Sequence, residues 1–174
     1  AGGTCVVYVT GAQLSAAGTD AMTLGSYDWS AAAKYAGRGV VTIDGPTALV
    51  EGAGVLNLGQ RTNNFVAVMN VKNGGVLSTG AIRKNDYSSQ YKVSFPDTSK
   101  IGAYLNFDGG TFRARANGNV FEVTRATQKI TKTTVYAGGA TIDANGYSVN
   151  VNLPLEKPDG YGVASITIPA NASL

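Results

Sequence analysis

The chain has 174 residues, 44% of them apolar and only 14% charged, with a formal net charge of +3. That supplies apolar material for one domain with a core and excludes a disordered acidic or basic tail. The 23 glycines and five prolines indicate many tight turns and few stiff linkers, and glycine does not recur at every third position, which excludes collagen.

The charges are spread along the chain, with Lys129 and Lys132 the nearest approach to a basic cluster. A nucleic-acid binder carries a denser basic stripe with a supporting motif, so no nucleic-acid partner is expected. No histidine is present, which removes the commonest general base and the commonest metal ligand. The single cysteine, Cys5, can form no intrachain disulfide and reads as a small strand residue packed inside, with a reactive thiol as the alternative. A secreted chain without disulfides relies on its core or on stacked, hydrogen-bonded coils. The first residue is Ala1, as in a processed chain or an excised piece, and no apolar run reaches the length of a membrane-spanning helix.

In chain order, apolar and polar residues first alternate at residues 6–10, the period of a half-buried strand. Asp28, Trp29, three alanines at 31–33, Tyr35 and Gly37 then read as a short helix, capped by Asp28 and ended by Gly37, or as a surface loop with one helical turn. Strands are expected at 40–44, 55–58 and 65–71. The polar stretch 82–90 is expected to bulge as a loop. Further strands follow at 91–95, 104–107, 112–116, 120–124, 134–136, 147–153 and 163–168, with Gly, Asn and Asp in nearly every gap.

Two sequence frames recur. Asn73-Gly74-Gly75, Asp108-Gly109-Gly110 and Ala137-Gly138-Gly139 each join one apolar run to the next. Leu56-Asn57-Leu58, Met69-Asn70-Val71, Leu105-Asn106-Phe107, Val149-Asn150-Val151 and Val151-Asn152-Leu153 each hold an Asn between two apolar residues. In a strand the apolar pair points to one face and the Asn to the other. A Gly-Gly turn with positive φ carries no Cβ penalty. One such coil cannot bury its own apolar face, so stacked neighbours have to supply the partners. The expected fold is all-β, a β-solenoid over residues 1–174, with residues 1–40 an atypical portion or cap and 41–174 the repeat coils.

The stretch Leu105-Asn106-Phe107-Asp108-Gly109-Gly110-Thr111-Phe112 followed by Gly138-Gly139-Ala140-Thr141-Ile142-Asp143-Ala144-Asn145-Gly146 resembles the autotransporter-associated β-strand repeat of bacterial passenger domains, mainly over residues 105–155. The resemblance implies a right-handed parallel β-helix, exported to the bacterial cell surface or beyond. It implies adhesion, aggregation or scaffolding, with a host or neighbouring-cell surface protein or glycan, or the chain itself, as partner. It brings no catalytic residues. The family's C-terminal membrane barrel does not follow, as in a fragment, and Glu156-Lys157-Pro158-Asp159-Gly160 stands where a Gly-rich stretch is usual.

Candidate chemistry is sparse. Glycoside hydrolysis needs two carboxylates flanking one bond, and stacked coils could bring Asp108 and Asp143 together, although each also reads as a turn residue. Arg113, Arg115 and Arg125 form either a cationic strip for an acidic sugar or a solvated face. Gly138 to Asp143 lacks the third glycine of a tandem calcium repeat, so no metal and no cofactor are expected. Tyr87, Tyr91, Tyr136, Tyr147 and Tyr161 sit in polar surroundings, as contact residues for proteins or sugars or as an aromatic stack between coils. An enzyme acting on polysaccharide and a self-assembling filament subunit are the alternatives to a binding surface.

Overall fold

The computed structural model describes residues 4–16, 22–24, 36–60, 64–85, 102–121, 129–158 and 166–167. These form fifteen strands and no helix: β1 (Thr4–Thr10), β2 (Gln13–Ala16), β3 (Met22–Leu24), β4 (Ala36–Asp44), β5 (Leu49–Gln60), β6 (Asn64–Lys72), β7 (Val76–Asn85), β8 (Gly102–Asp108), β9 (Gly110–Ala114), β10 (Gly118–Asn119), β11 (Lys132–Val135), β12 (Ala140–Asp143), β13 (Val149–Asn150), β14 (Leu155–Glu156) and β15 (Ile166–Thr167).

Every pairing between named strands is parallel. The first sheet has the order β1-β4-β6-β8-β11-β14, and the second runs β15-β12-β9-β7-β5-β2, with β3 also on β5. A third pair, β10 and β13, completes the set. The chain therefore crosses from the first sheet to the second and back repeatedly, laying each strand on the one from the previous passage. The all-β expectation holds, and the stacking of parallel strands is consistent with a β-solenoid rather than a sandwich of antiparallel hairpins.

Alternation decides which side chains enter the core. In β6, Ala67, Met69 and Val71 are buried while Asn70 and Lys72 face outward. Because adjacent strands are in register, each inward position makes a column through the layers. Val9, Ile43, Val71, Phe107 and Val135 form one such column. Leu14, Val50, Leu77, Phe112 and Ile142 form its counterpart on the second sheet. All but Leu14, which lies in β2 with a strand on one side only among the described residues, are buried. Phe112 also meets Phe121 with ring centroids 5.4 Å apart, tilted at 56°.

The recurrent glycine pairs stack at the corner between the sheets, and their two members have different tasks. One member takes positive φ: 85° at Gly74, 77° at Gly109 and 80° at Gly139. The other needs room. A Cβ on Gly75 would lie 2.6 Å from the Ile43 carbonyl oxygen, and one on Gly110 would collide with the Val71 carbonyl. The turns are bonded layer to layer, Gly74 N–H to the Gly109 carbonyl at 2.7 Å and Gly109 N–H to the Gly139 carbonyl at 2.8 Å.

Several boundaries differ from expectation. Of the loop expected at 82–90, residues 82–85 belong instead to β7, where Ile82 is buried and pairs with Leu56, while 86–90 lie outside the described residues. A bulge in β5 accommodates this pairing: the register shifts between Gly52 and Val55, so that Ala53 and Gly54 together oppose Gly80, and a Cβ on Gly80 would lie 3.0 and 3.1 Å from their carbonyl oxygens. The strand expected at 147–153 is confined to β13, and that at 120–124 reduces, among the described residues, to a bridge between Phe121 and Ile82. Of the helix expected at 28–37, residues 28–35 lie outside the described residues, while Ala36 and Gly37 begin β4. The strand at 91–95 also lies outside them. Cys5, expected inside, is exposed, because among the described residues β1 has a partner strand only on the β4 side.

Candidate binding groove

The outer face of the first sheet carries columns as regular as those of the core. Tyr8, Thr42, Asn70 and Asn106 occupy successive layers in register. Asn106 Nδ2 donates to Asn70 Oδ1 at 2.9 Å, and Asn70 Nδ2 donates to Thr42 Oγ1 at 3.1 Å. This amide ladder exists because two of the Asn-centred triplets, 69–71 and 105–107, sit directly over one another. The Asn of the triplet 56–58 has another fate. Asn57 is buried on the second sheet and accepts from Arg83 Nε at 2.7 Å.

A second outward column runs along the corner. Lys72 Nζ lies 3.0 Å from Asp44 Oδ2, and Asn73 Nδ2 donates to Asp44 Oδ1 at 2.8 Å. The Asn73 amide and then the Lys72 ammonium hold the Asp44 carboxyl below its ordinary value, and Asp44 in turn raises the Lys72 ammonium above its own. In the next layer Asp108 Oδ1 accepts the Gly138 N–H at 2.8 Å.

Between these columns lies an open groove of about 280 Å³, whose walls and floor include Asn70, Lys72, Asn106 and Asp108. Tyr8 borders it with 70% of its surface exposed and Tyr136 with 38%. The groove thus combines two exposed aromatic rings with a floor of amide and hydroxyl groups.

The second sheet carries an outward polar column of a different kind, Ser15, Glu51, Ser78, Arg113 and Asp143. Arg113 Nε donates to Asp143 Oδ2 at 2.8 Å, and Arg115 Nη1 donates to Glu51 Oε2 at 2.8 Å. The Ser15 hydroxyl at 2.8 Å and the Gln13 amide at 2.7 Å also donate to Glu51. Its carboxyl is held below the ordinary range by Ser15 first, then Gln13 and Arg115.

Asp108 and Asp143 do not form a pair. Asp108 binds Gly138 before β12 begins, whereas Asp143 ends β12 and pairs with Arg113. The proposed cationic strip is neutralised where it is described, Arg113 by Asp143 and Arg115 by Glu51. Arg125, Tyr87, Tyr91 and Tyr161 lie outside the described residues. Tyr147 is 36% exposed at a turn whose N–H donates to the Ala144 carbonyl. Lys132 lies 3.6 Å from Glu156, and Lys129 is exposed. No group of three or more His, Cys, Asp or Glu side chains that could hold a metal occurs among the described residues.

Tyr8 was missing from the sequence candidates. Its signal was parity: with Val7 and Val9 directed inward, Tyr8 has to point outward. The run Cys5-Val6-Val7-Tyr8-Val9 is apolar throughout, so only the burial of Val9 sets the phase. Comparison with protein-family models, with curated proteins and with solved structures gave no match.

Proposed function

We propose that this chain is a length of right-handed parallel β-helix on the outer surface of a bacterium, where it serves as an adhesive or scaffolding surface. The observation that carries the reading is the in-register stacking of outward polar columns, above all Tyr8-Thr42-Asn70-Asn106. Stacking of this type extends one binding face over many layers without any one loop having to create it. The Gly-Gly corners and the resemblance of residues 105–155 to the passenger repeat support the same reading. The carboxylates that could have served glycoside hydrolysis are separated and engaged in structural bonds, which favours a surface over a polysaccharide-cleaving enzyme.

The test is localisation joined to adherence. Antibodies against the chain should label intact cells of the source organism and reduce their attachment or clumping. Labelling that requires permeabilised cells overturns the surface assignment. Release of new reducing ends from neutral or acidic polysaccharides by the purified chain overturns the non-enzymatic one.

A further inference from the structure

We infer that the groove between Tyr8 and Tyr136 binds a neutral oligosaccharide chain, laid across the strands of the first sheet. The inference rests on the surface-binding reading above and names its ligand class. Three features of the groove carry it.

The first is the pair of aromatic ends. Tyr8 and Tyr136 are exposed at 70% and 38% although each borders a cavity. A phenol ring offers an apolar face for the C–H side of a sugar and a hydroxyl for its rim, so an exposed Tyr suits a ligand that is itself amphipathic. The second is spacing. Tyr8 belongs to β1 and Tyr136 follows β11, four steps along the sheet. At ~4.8 Å between neighbouring strands the backbones that carry the two rings lie about 19 Å apart along the stack. That is the length of a short linear oligosaccharide, and each layer beneath it contributes a polar group at a regular interval.

The third is the chemistry of the floor. Asn70 and Asn106 each spend one N–H within the ladder, leaving the other N–H, with Asn106 Oδ1, for a ligand. Sugar hydroxyls both donate and accept, so a floor of amides suits them. The groove's cation does not select an acidic chain, because Lys72 is paired with Asp44 at 3.0 Å. Asp108 adds negative charge beside it, which further disfavours a polyanion. A peptide added as an extra strand would pair along a sheet edge such as β1, whereas the floor of the groove lies over β4, β6 and β8, which have strands on both sides.

The experiment is calorimetric titration of the purified chain with cellohexaose, maltohexaose, laminarihexaose and chitohexaose, with a heparin hexasaccharide as the acidic probe. At least one neutral hexasaccharide should bind, and heparin should not. Tyr8→Ala and Tyr136→Ala should each weaken that binding about tenfold or more, while Tyr8→Phe retains most of it. Thermal melting of each variant checks that the fold is intact. Binding to heparin alone, no binding to any neutral probe, or binding indifferent to both Ala variants overturns the inference. Beads coated with the chain separate the two proposals. Beads that still adhere to cells in the absence of glycan binding leave the surface reading standing and remove only the ligand. Beads that adhere to nothing count against the surface reading itself.

Discussion

Arg115 and Glu51 are joined by a 2.8 Å ion pair although a whole layer lies between them. Arg115 follows β9, Glu51 lies in β5, and β7 runs between the two with Ser78 in register with Glu51. The guanidinium spans that layer, and Ser78 is buried at 3% exposure. The bridge clamps non-adjacent passages of the chain, as the backbone ladder alone cannot.

Acid should loosen this clamp. The Glu51 and Asp44 carboxyls are depressed in the folded protein by their hydrogen bonds and cationic neighbours. Their stabilisation is present above the ordinary carboxylate value of about 4 and is lost as pH falls through the lower folded value. Lys72 is raised, so its contribution holds below the ordinary lysine value and fades as pH climbs through the folded one. Melting temperature should therefore decline from pH 5 toward about pH 2. Glu51→Gln should shallow that decline, and an unchanged slope in the variant contradicts the assignment.

The division of labour in the corner glycines makes a sharper test. Gly109 has positive φ and its nearest Cβ contact would be 3.5 Å away, whereas a Cβ at Gly110 collides with the Val71 carbonyl. Asn73, at the equivalent turn one layer earlier, already adopts φ 52°. Gly109→Asn should cost less than ~1 kcal/mol, since Asn tolerates the left-handed region. Gly110→Ala should cost roughly 1–3 kcal/mol or more through overpacking. Urea denaturation of the two variants gives the comparison, and equal losses argue against separate roles.

Thr133 is a polar residue in an inward column otherwise made of Val7, Val41, Met69, Leu105 and Leu155. Its Oγ1 is buried without a hydrogen-bond partner. Thr133→Val keeps the shape and removes the orphan, so it should stabilise the fold by about 1 kcal/mol. A loss of stability in denaturant melts counts against the column as described.

The amide ladder is open to a double-mutant cycle. Asn70 and Asn106 are coupled by one hydrogen bond at 2.9 Å, partly shielded from water. Replacing both by Ala, singly and together, should give a coupling energy of about 0.5–1.5 kcal/mol. Additive effects would mean that the ladder has no energetic existence.

Much of the architecture was legible in residue order because strands obey a period of two and glycine pairs mark corners. Met69-Asn70-Val71 and Leu105-Asn106-Phe107 announce both a buried pair and an outward amide without reference to any neighbour. The bulge opposite Gly80 was not legible, since a lone glycine between Thr79 and Ala81 looks like any interruption. Only the pairing with β5 reveals that Ala53 and Gly54 together face Gly80, leaving no room there for a side chain.

Local alternation and turn chemistry determined that this chain would be all-β, with Asn facing away from Leu, Met, Val and Phe. Which Asn meets which is a matter of register between segments about thirty residues apart, and no local signal encodes it. Stacking therefore decided that Asn70 meets Asn106, that Asn57 is buried beneath Arg83, that Asp108 and Asp143 stay apart, and that Tyr8 and Tyr136 border one groove. The physical reason is that a side chain's direction is set by its own backbone, whereas its neighbours are set by where the next passage of the chain comes to rest.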